Sequence, residues 1–388
     1  GEWETREYHG SWIEKDVSAL KRYVYAAAAL LLLWTGAPKA GAIDCSAMSA
    51  VVMEAETGRV LYEKQAHQRR PIASITKLMT ALVALDSGHG LEEEVTIQPE
   101  WTGIEGSSLY LAPGEKIRLE TLLYGLMLRS GNDGAEAIAG WCGGSREEFI
   151  ARMNRKAAQL GMGDSRFADP SGLSDENHWS SAYDMALLAR ACLAQETLAK
   201  MAATPSIALE GRSFVNHNKL LWRYEGCVGL KPGYTQTAGR TLVSAARRDG
   251  MTLIAVTLDD PNDWADHAAL FDYGFSTYHM ETALGAGEEV LSLPVTGGLV
   301  PFAGVVSQEG VRWPVKEGET LTVQCDLGGL RSLTAPTQAG VRLGTAEILL
   351  DGVPVTRTPL VCGVSLHRDM TEHTGPLSRL LGLLGRVL

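Results

Sequence analysis

Three short polar motifs, each at a predicted end of a helix or strand, constrain the fold of this 388-residue chain more than any other feature. They are Ser74–Lys77, Ser130–Asn132 and Lys231–Gly233, and their first residues are 56 and 101 positions apart. Segments so far apart belong to different elements. They form a single candidate site only if the fold brings them together.

The motif Ser74–Lys77 joins a hydroxyl to an amine at helical spacing. Residues three apart share a helix face, so the Lys77 amine is expected to reach the Ser74 hydroxyl. A serine is a weak nucleophile that needs a base, and a desolvated lysine can serve as one. Pro71 favours a helix start near Ser74, where free N–H groups stabilise an oxyanion. Alone, the pattern is more typical of an N-cap serine followed by a solvated lysine.

The other two motifs contain residues that are also common in turns. Ser130–Asn132 lies between a predicted helix that ends near Arg129 and another that begins at Asp133. Lys231–Gly233 follows the strand-like run Cys227–Leu230. Their order and positions, rather than their composition, support a site.

The surrounding pattern predicts an α+β catalytic domain over 43–280. A hairpin around 56–58 precedes several helical patterns, and strands return at 241–246 and 251–258. This order predicts one antiparallel sheet, completed by distant segments, with helices packed on it. From 285 to 367, short Val/Leu runs broken by Gly and Pro predict a small all-β domain.

Both ends of the chain carry apolar segments. In residues 1–42, two basic residues precede a 12-residue apolar run and an Ala-Gly-Ala sequence, which predicts a signal peptide and export. In residues 375–388, five leucines fall on one helical face and predict an amphipathic tail helix. It is too short to span a bilayer, so we expect it to lie in the membrane interface. Packing on the chain's own β domain is the alternative.

The composition of the chain and the motifs that its sequence lacks argue against several classes of function. The net charge of −11, without a Lys/Arg-rich block, argues against a nucleic-acid partner. Six scattered cysteines lack C-x-x-C spacing, the nine histidines lack H-E-x-x-H, and no phosphate-binding loop occurs. We expect no metal and no organic cofactor. One or two disulfide bonds remain possible if the protein is exported.

Together, the motifs resemble the S-x-x-K, S-x-N and K-T-G signature of the penicillin-recognising serine acyltransferases. The sequence is most similar to their low-molecular-weight D-alanyl-D-alanine carboxypeptidase branch, peptidase family S11, over about residues 45–365. Beyond the motifs, similar segments are Pro71–Thr80, Arg129–Asp133, Asp169–Leu173, Ser181–Arg190, Asn216–Leu221 and Asp272–Phe275.

The resemblance implies a serine peptidase that removes the terminal D-alanine from peptidoglycan stem peptides ending in D-Ala-D-Ala. β-Lactam antibiotics would be its covalent inhibitors. Ser74 would attack the substrate carbonyl and form an acyl-enzyme, Lys77 would take its proton, and Ser130 would relay a proton to the leaving amine. The enzyme would act at the extracytoplasmic face of the membrane or in the cell wall.

The resemblance also implies a set of substrate-binding residues. Asn132 would bind the substrate amide, and Lys231 would supply positive charge near Ser130 and the terminal carboxylate. The backbone N–H groups of Ser74 and Tyr234 would form the oxyanion hole. The implied substrate-binding residues are Asn132, Lys231, Gly233, Tyr234 and Thr235.

Pro232 departs from the family pattern, which has a threonine whose hydroxyl helps to hold the terminal carboxylate. Proline lacks that hydroxyl and a backbone N–H, and it is tolerated on an edge strand. We therefore expect the fold and acylation to survive. Carboxylate recognition is expected to weaken or to shift to Thr235 or to an arginine such as Arg240.

Three other functions are compatible with parts of the pattern. A class A β-lactamase needs a deacylating glutamate, but Glu176 and Glu196 do not stand in that family's pattern. An endopeptidase that cuts cross-links would use the same chemistry. A non-catalytic penicillin- or muropeptide-binding module would retain acylation without peptide turnover.

Overall fold

The computed structural model describes residue 43 and residues 45–173 and 176–369. The predicted signal peptide (1–42) and tail helix (375–388) lie outside these residues. Within them, no helix combines the length and the apolar character needed to cross a membrane.

The helices of the described chain all precede the C-terminal strands. A 3₁₀ turn, Ala73–Thr76, leads into the first helix, a second forms at Pro99–Trp101, and a π-helical turn spans Gly125–Arg129. The α-helices are α1 (Lys77–Leu85), α2 (Leu119–Tyr124), α3 (Asn132–Gly143), α4 (Arg146–Gln159), α5 (Ala182–Ala194), α6 (Glu196–Ala203), α7 (Leu220–Arg223) and α8 (Asp263–Thr277).

The strands fall into an N-terminal and a C-terminal group. The first group is β1 (Ser49–Glu54), β2 (Val60–Lys64), β3 (Glu94–Thr96), β4 (Lys116–Arg118), β5 (Ser206–Leu209), β6 (Arg212–Val215), β7 (Cys227–Thr235), β8 (Gly239–Arg248) and β9 (Met251–Leu258). The second is β10 (Tyr278–Leu284), β11 (Glu289–Thr296), β12 (Phe302–Ser307), β13 (Val311–Lys316), β14 (Leu321–Asp326), β15 (Leu333–Thr334), β16 (Arg342–Leu350) and β17 (Val353–Cys362).

A five-stranded antiparallel sheet forms the centre of the N-terminal domain, in the order β2-β1-β9-β8-β7. All of β1 and nearly all of β9 are buried, as expected for strands covered on both faces. α5 packs on β1 and β9, and α8 packs on β8 and β9. β7 is an edge strand, so one side of it remains free to face a cleft.

The C-terminal domain contains only strands. Six of them form a sheet in the order β14-β16-β17-β12-β11-β15, while β10 pairs with β13. This domain has its own apolar core, which includes Val305, Ala346 and Leu360. The predicted fold class, an α+β domain followed by a small all-β domain, is confirmed. β10 spans the gap between the predicted domain limits at 280 and 285.

All six cysteines lie among the described residues, and each is a free thiol. The one or two disulfide bonds that the sequence allowed are therefore not formed in this structure. Four cysteines, Cys45, Cys142, Cys192 and Cys362, are buried and act as small apolar side chains.

A close backbone contact fixes the turn before Gly172 against the 3₁₀ turn Ala73–Thr76. Gly172 has a φ of +84°, and a Cβ on it would lie 1.9 Å from the carbonyl oxygen of Ala73. A side chain at this position therefore requires the two segments to separate.

We predict that Gly172→Ala lowers the free energy of unfolding much more than Gly161→Ala. Gly161 has a similar φ of +76°, but a Cβ there meets no atom within 4 Å. The control therefore carries only the left-handed backbone cost of about 1–2 kcal/mol, and overpacking adds roughly 1–3 kcal/mol at Gly172. Urea unfolding of both variants measures the difference. Equal losses would show that the turn does not pack tightly against Ala73.

Candidate active site

Ser74 lies in the 3₁₀ turn that leads into α1, and Lys77 is the first residue of that helix. Ala73 adopts a φ of +51°, so the chain bends sharply just before the serine. Ser74 is half-buried, whereas Lys77 is fully buried. The distance from Lys77 Nζ to Ser74 Oγ is 2.9 Å, as the helical spacing predicted.

The Lys77 amine has three oxygen neighbours. Besides Ser74 Oγ, its Nζ lies 2.7 Å from Asn132 Oδ1 and 2.7 Å from the carbonyl oxygen of Ser171. The amide and carbonyl oxygens can only accept hydrogen bonds, so they take two N–H groups of the amine. A neutral amine then has a lone pair left for the Ser74 hydroxyl. This arrangement fits a base that removes the hydroxyl proton.

Burial also favours the neutral form of this amine. Loss of solvation, followed by repulsion from Lys231, lowers the pKa of Lys77 well below its ordinary value. Lys231 is fully buried as well, and its Nζ has no hydrogen-bond partner among the described residues. Burial lowers the pKa of Lys231 to about 7.

The turn that contains Ser171 is held by a single carboxylate. Asp169 Oδ1 accepts hydrogen bonds from Ser171 N at 2.7 Å, Ser171 Oγ at 2.8 Å and Gly172 N at 2.6 Å. The turn thereby directs the Ser171 carbonyl at Lys77. Sequence reasoning found this segment only through its family resemblance, because no side-chain pattern marks a backbone carbonyl as a partner of a base.

The second motif connects the π-helical turn to α3. Ser130 has a φ of +63°, and Asn132 begins α3. Asn132 is almost fully buried, and both ends of its amide are bonded: Oδ1 accepts from Lys77, and Nδ2 donates to the carbonyl oxygen of Glu105 at 2.6 Å. Asn132 therefore orients the Lys77 amine as well as the loop that contains Glu105.

The third motif lies inside the edge strand β7, rather than in a turn after a strand. A Cβ on Gly233 would lie 2.9 Å from the backbone nitrogen of Ser74 and 3.1 Å from that of Ile75. Only glycine lets β7 approach the backbone of Ser74 and Ile75 this closely. Pro232 lies on this edge strand, as predicted for a proline that is tolerated within a sheet.

These segments enclose an open cleft of about 250 Å³, which we call the Ser74 cleft. Its walls bring together residues of all three motifs. The lining residues are Ser74, Ser107, Ser130, His217, Pro232, Gly233, Tyr234 and Arg240. Asn132, Lys77 and Lys231 lie behind this surface and are buried.

Thr235 does not line the Ser74 cleft. It borders a neighbouring cavity of about 430 Å³, together with Arg70, Gly172 and Trp179. Its hydroxyl accepts a hydrogen bond from the Ala238 backbone at 3.0 Å, so it also stabilises the turn after β7.

The sequence motifs did not single out Ser107 and His217 as site residues. The loop of Ser107 is tied to α3 by Asp133, whose carboxylate accepts hydrogen bonds from Leu109 N and Leu111 N. Burial, then the charges of Lys231 and Arg129, lowers the pKa of His217. His217 belongs to a segment that the resemblance covered, but the resemblance assigned it no role.

One group of potential metal ligands occurs among the described residues, away from the lining of the Ser74 cleft. Ligand atoms of Cys45, Asp260 and Asp266 lie within 4.8 Å of one another. Asp266 Oδ2 already accepts hydrogen bonds from Ser46 N at 2.7 Å and Ser46 Oγ at 2.6 Å. These donors satisfy Asp266 Oδ2, whereas Asp260 Oδ2 is buried without a hydrogen-bond partner among the described residues.

Comparisons with known proteins agree with this geometry. Residues 36–262 match the family described as D-alanyl-D-alanine carboxypeptidase, Peptidase S11, and residues 278–368 match the C-terminal domain of penicillin-binding protein 5. D-alanyl-D-alanine carboxypeptidase DacF of Bacillus subtilis is 34% identical over 84% of this chain and 86% of its own length. DacA of Escherichia coli K12 is 31% identical over 83% of this chain and 84% of its own length.

A solved structure shows the same fold. Penicillin-binding protein 5 from Haemophilus influenzae superimposes with a TM-score of 0.72 at 26% identity. The match covers 84% of this chain and 99% of that one. The family match, the extent of the relatives and the geometry of the three motifs lead to one conclusion: the chain belongs to the D-alanyl-D-alanine carboxypeptidase family, peptidase family S11.

Proposed function

We propose that this protein is a serine D-Ala-D-Ala carboxypeptidase in which Ser74 is the nucleophile and Lys77 its base. The contact that carries the proposal is the 2.9 Å approach of Lys77 Nζ to Ser74 Oγ. Two further acceptors hold the amine, and burial favours its neutral form. The substrate would be a peptidoglycan stem peptide that ends in D-Ala-D-Ala, and β-lactams would acylate the same serine.

Acylation begins when Ser74 Oγ attacks the carbonyl carbon between the two D-alanines while Lys77 takes the hydroxyl proton. The N–H groups of Ser74 and Tyr234 stabilise the oxyanion, and Gly233 supports this by letting β7 approach Ser74. The C–N bond then breaks. Ser130 passes a proton to the amine of the departing D-alanine, and Lys77 replaces it.

Deacylation returns the enzyme to its starting state. Water attacks the ester carbonyl while Lys77 takes one of its protons. The bond between the acyl carbon and Ser74 Oγ then breaks, and Lys77 returns that proton to Ser74 Oγ. Asn132 and Lys231 support both steps: Asn132 orients Lys77 and binds the substrate amide, while Lys231 stabilises negative charge. Each step uses protein groups and water alone.

The proposed setting is the outer face of the cytoplasmic membrane. Residues 1–42 would direct export, 43–280 would form the catalytic domain, and 285–367 would form the β domain. Residues 375–388 would attach the protein to the membrane surface. The amphipathic sequence of the tail supports this arrangement, with Arg379 and Arg386 opposite the leucine face.

The exported protein should release D-alanine from a peptide that ends in D-Ala-D-Ala, and Ser74→Ala should abolish the release. Ser206→Ala, on the exposed strand β5, is the matched control and should retain it. Mass spectrometry of penicillin-treated protein should find the adduct on Ser74. Penicillin labelling without D-alanine release would instead support a non-catalytic binding module, and release by Ser74→Ala would reject Ser74 as nucleophile.

The pH dependence of penicillin acylation should respond to Lys231. Acylation needs neutral Lys77, so its rate falls as the pH drops through the pKa of that amine. The positive charge of Lys231 lowers this pKa. Lys231→Gln should therefore move the acid limb of the acylation profile to higher pH. Lys116→Gln, at an exposed site in β4, should leave it in place. An acid limb unmoved by Lys231→Gln would contradict the coupling of the two amines.

The tail can be tested by flotation with vesicles that contain anionic phosphatidylglycerol. Full-length mature protein should float with the vesicles, and a variant ending at Gly375 should remain at the bottom of the gradient. Arg379→Gln with Arg386→Gln should weaken the interaction because the arginines face the anionic headgroups. Equal flotation of the truncated and full-length proteins would show that the tail is no anchor.

A further inference from the structure

The Ser74 cleft lacks the side chain that the family pattern supplies for the substrate's terminal carboxylate. Pro232 stands there without a hydroxyl or an N–H group. The cleft must nevertheless bind a free carboxylate if the enzyme is to select the C-terminal residue. A charged or hydrogen-bonding group elsewhere in its wall has to replace the missing contact.

The other cationic groups near the cleft are poorly suited to this task. Lys231 is fully buried and does not line the cleft, and its burial lowers its pKa to about 7. His217 lines the cleft, but its lowered pKa makes it largely neutral at neutral pH. Arg240 also lines the cleft, and a guanidinium remains charged throughout this range.

The Arg240 side chain is held in place by residues outside the lining of the Ser74 cleft. It lies on β8 directly opposite Tyr234 of β7, and its Nη2 donates to both oxygens of Asp263, at 3.0 and 2.8 Å. Asp263 is only 2% exposed and begins α8, so it is a rigid anchor. The guanidinium also lies 5.7 Å from the Trp264 ring centroid.

The guanidinium still has donors to offer a ligand. Its hydrogen bonds to described residues both use Nη2, which leaves the N–H groups of Nε and Nη1 for another acceptor. The Arg240 side chain is 41% exposed. The exposed guanidinium is thus anchored at Nη2, and Nε and Nη1 can each donate a charge-assisted hydrogen bond to a carboxylate.

We propose that Arg240, positioned by Asp263, binds the terminal carboxylate of the substrate and makes the enzyme select a free C-terminus. This proposal rests on the proposed function, because it assigns a ligand group to the same cleft. It also gives a physical reason why proline is compatible with this site: the carboxylate contact comes from β8 instead of β7.

The test compares two peptides that differ only at the end: one terminates in D-Ala-D-Ala with a free carboxylate, the other in the D-Ala-D-Ala amide. Arg240→Gln should reduce kcat/KM for the free acid by about ten- to hundredfold, the usual worth of a hydrogen bond to a charged group. The value for the amide should change little. The ratio of the two values therefore falls towards one.

Arg248→Gln is the matched control. Arg248 ends the same strand, and its side chain is also 41% exposed, but it stacks on Phe275 instead of lining the cleft. It should leave the acid-to-amide ratio unchanged. Arg240→Lys keeps the charge but not the planar guanidinium donors, and it should give a partial loss of the acid-to-amide ratio. If Arg240→Gln does not fold, this variant decides the question.

Two further variants separate carboxylate binding from a merely structural role. The Asp263→Asn side chain can still accept the hydrogen bond from the Trp264 backbone N–H, but it has no negative charge to pair with the guanidinium. The acid-to-amide ratio of kcat/KM should therefore fall, while the Tm changes little. Pro232→Thr should restore part of the ratio in the Arg240→Gln background. A general structural defect would lower kcat/KM equally for both peptides, and Pro232→Thr would not restore it.

Failure of the Arg240 proposal can be distinguished from failure of the proposed function. If the wild type releases no D-alanine, the proposed function fails. The Kd values of both peptides can then be measured with Ser74→Ala protein, where binding needs no turnover. Arg240 is supported if the acid binds more tightly than the amide and Arg240→Gln removes the difference. An unchanged difference, in turnover or binding, overturns the proposal.

Discussion

The active site depends on the burial of two lysine amines. Removing Lys77 and Lys231 from water disfavours their charged forms, and the repulsion between them adds to the effect at Lys77. The cost of this burial is partly offset at Lys77 by acceptors on Asn132 and Ser171. The same acceptors leave the nitrogen lone pair directed at Ser74. Desolvation thus favours the neutral form that the proposed base requires.

Maintaining this environment requires segments that are remote in sequence to stay in register. Two carboxylates do much of this work without entering the cleft. Asp169 fixes the turn that presents the Ser171 carbonyl, and Asp133 ties the loop before Leu111 to α3. Gly172 and Gly233 then allow the turn and the edge strand to contact the nucleophile segment at distances that no Cβ would permit. Rigid local structure therefore positions each reacting group.

The sequence predicted the parts of this site that follow from local periodicity. The contact between Ser74 and Lys77 is a consequence of helical spacing, and the all-β character of the C-terminal domain follows from its short Val/Leu runs. The contact between Lys77 and Asn132 joins residues 55 positions apart, and spacing alone cannot supply it. The carbonyls of Ser171 and Glu105 carry no sequence signal, because every residue has one. The place of Thr235 outside the Ser74 cleft depends on how β7 ends, which composition does not determine.

The central claim is that burial and the charge of Lys231 lower the pKa of Lys77 well below that of an ordinary lysine, which favours the neutral amine that the proposed base requires. NMR of protein labelled with ¹³C at the lysine Cε measures this directly, because the chemical shift of this carbon follows the protonation of the attached amine. Lys77→Ala identifies the Lys77 signal by its loss. The account predicts that this signal changes to the shift of a neutral amine at a pH well below the ordinary lysine pKa. A Lys77 signal that stays in the charged position up to pH 9 would contradict the account, because the proposed base would then hold its proton when Ser74 must lose its own.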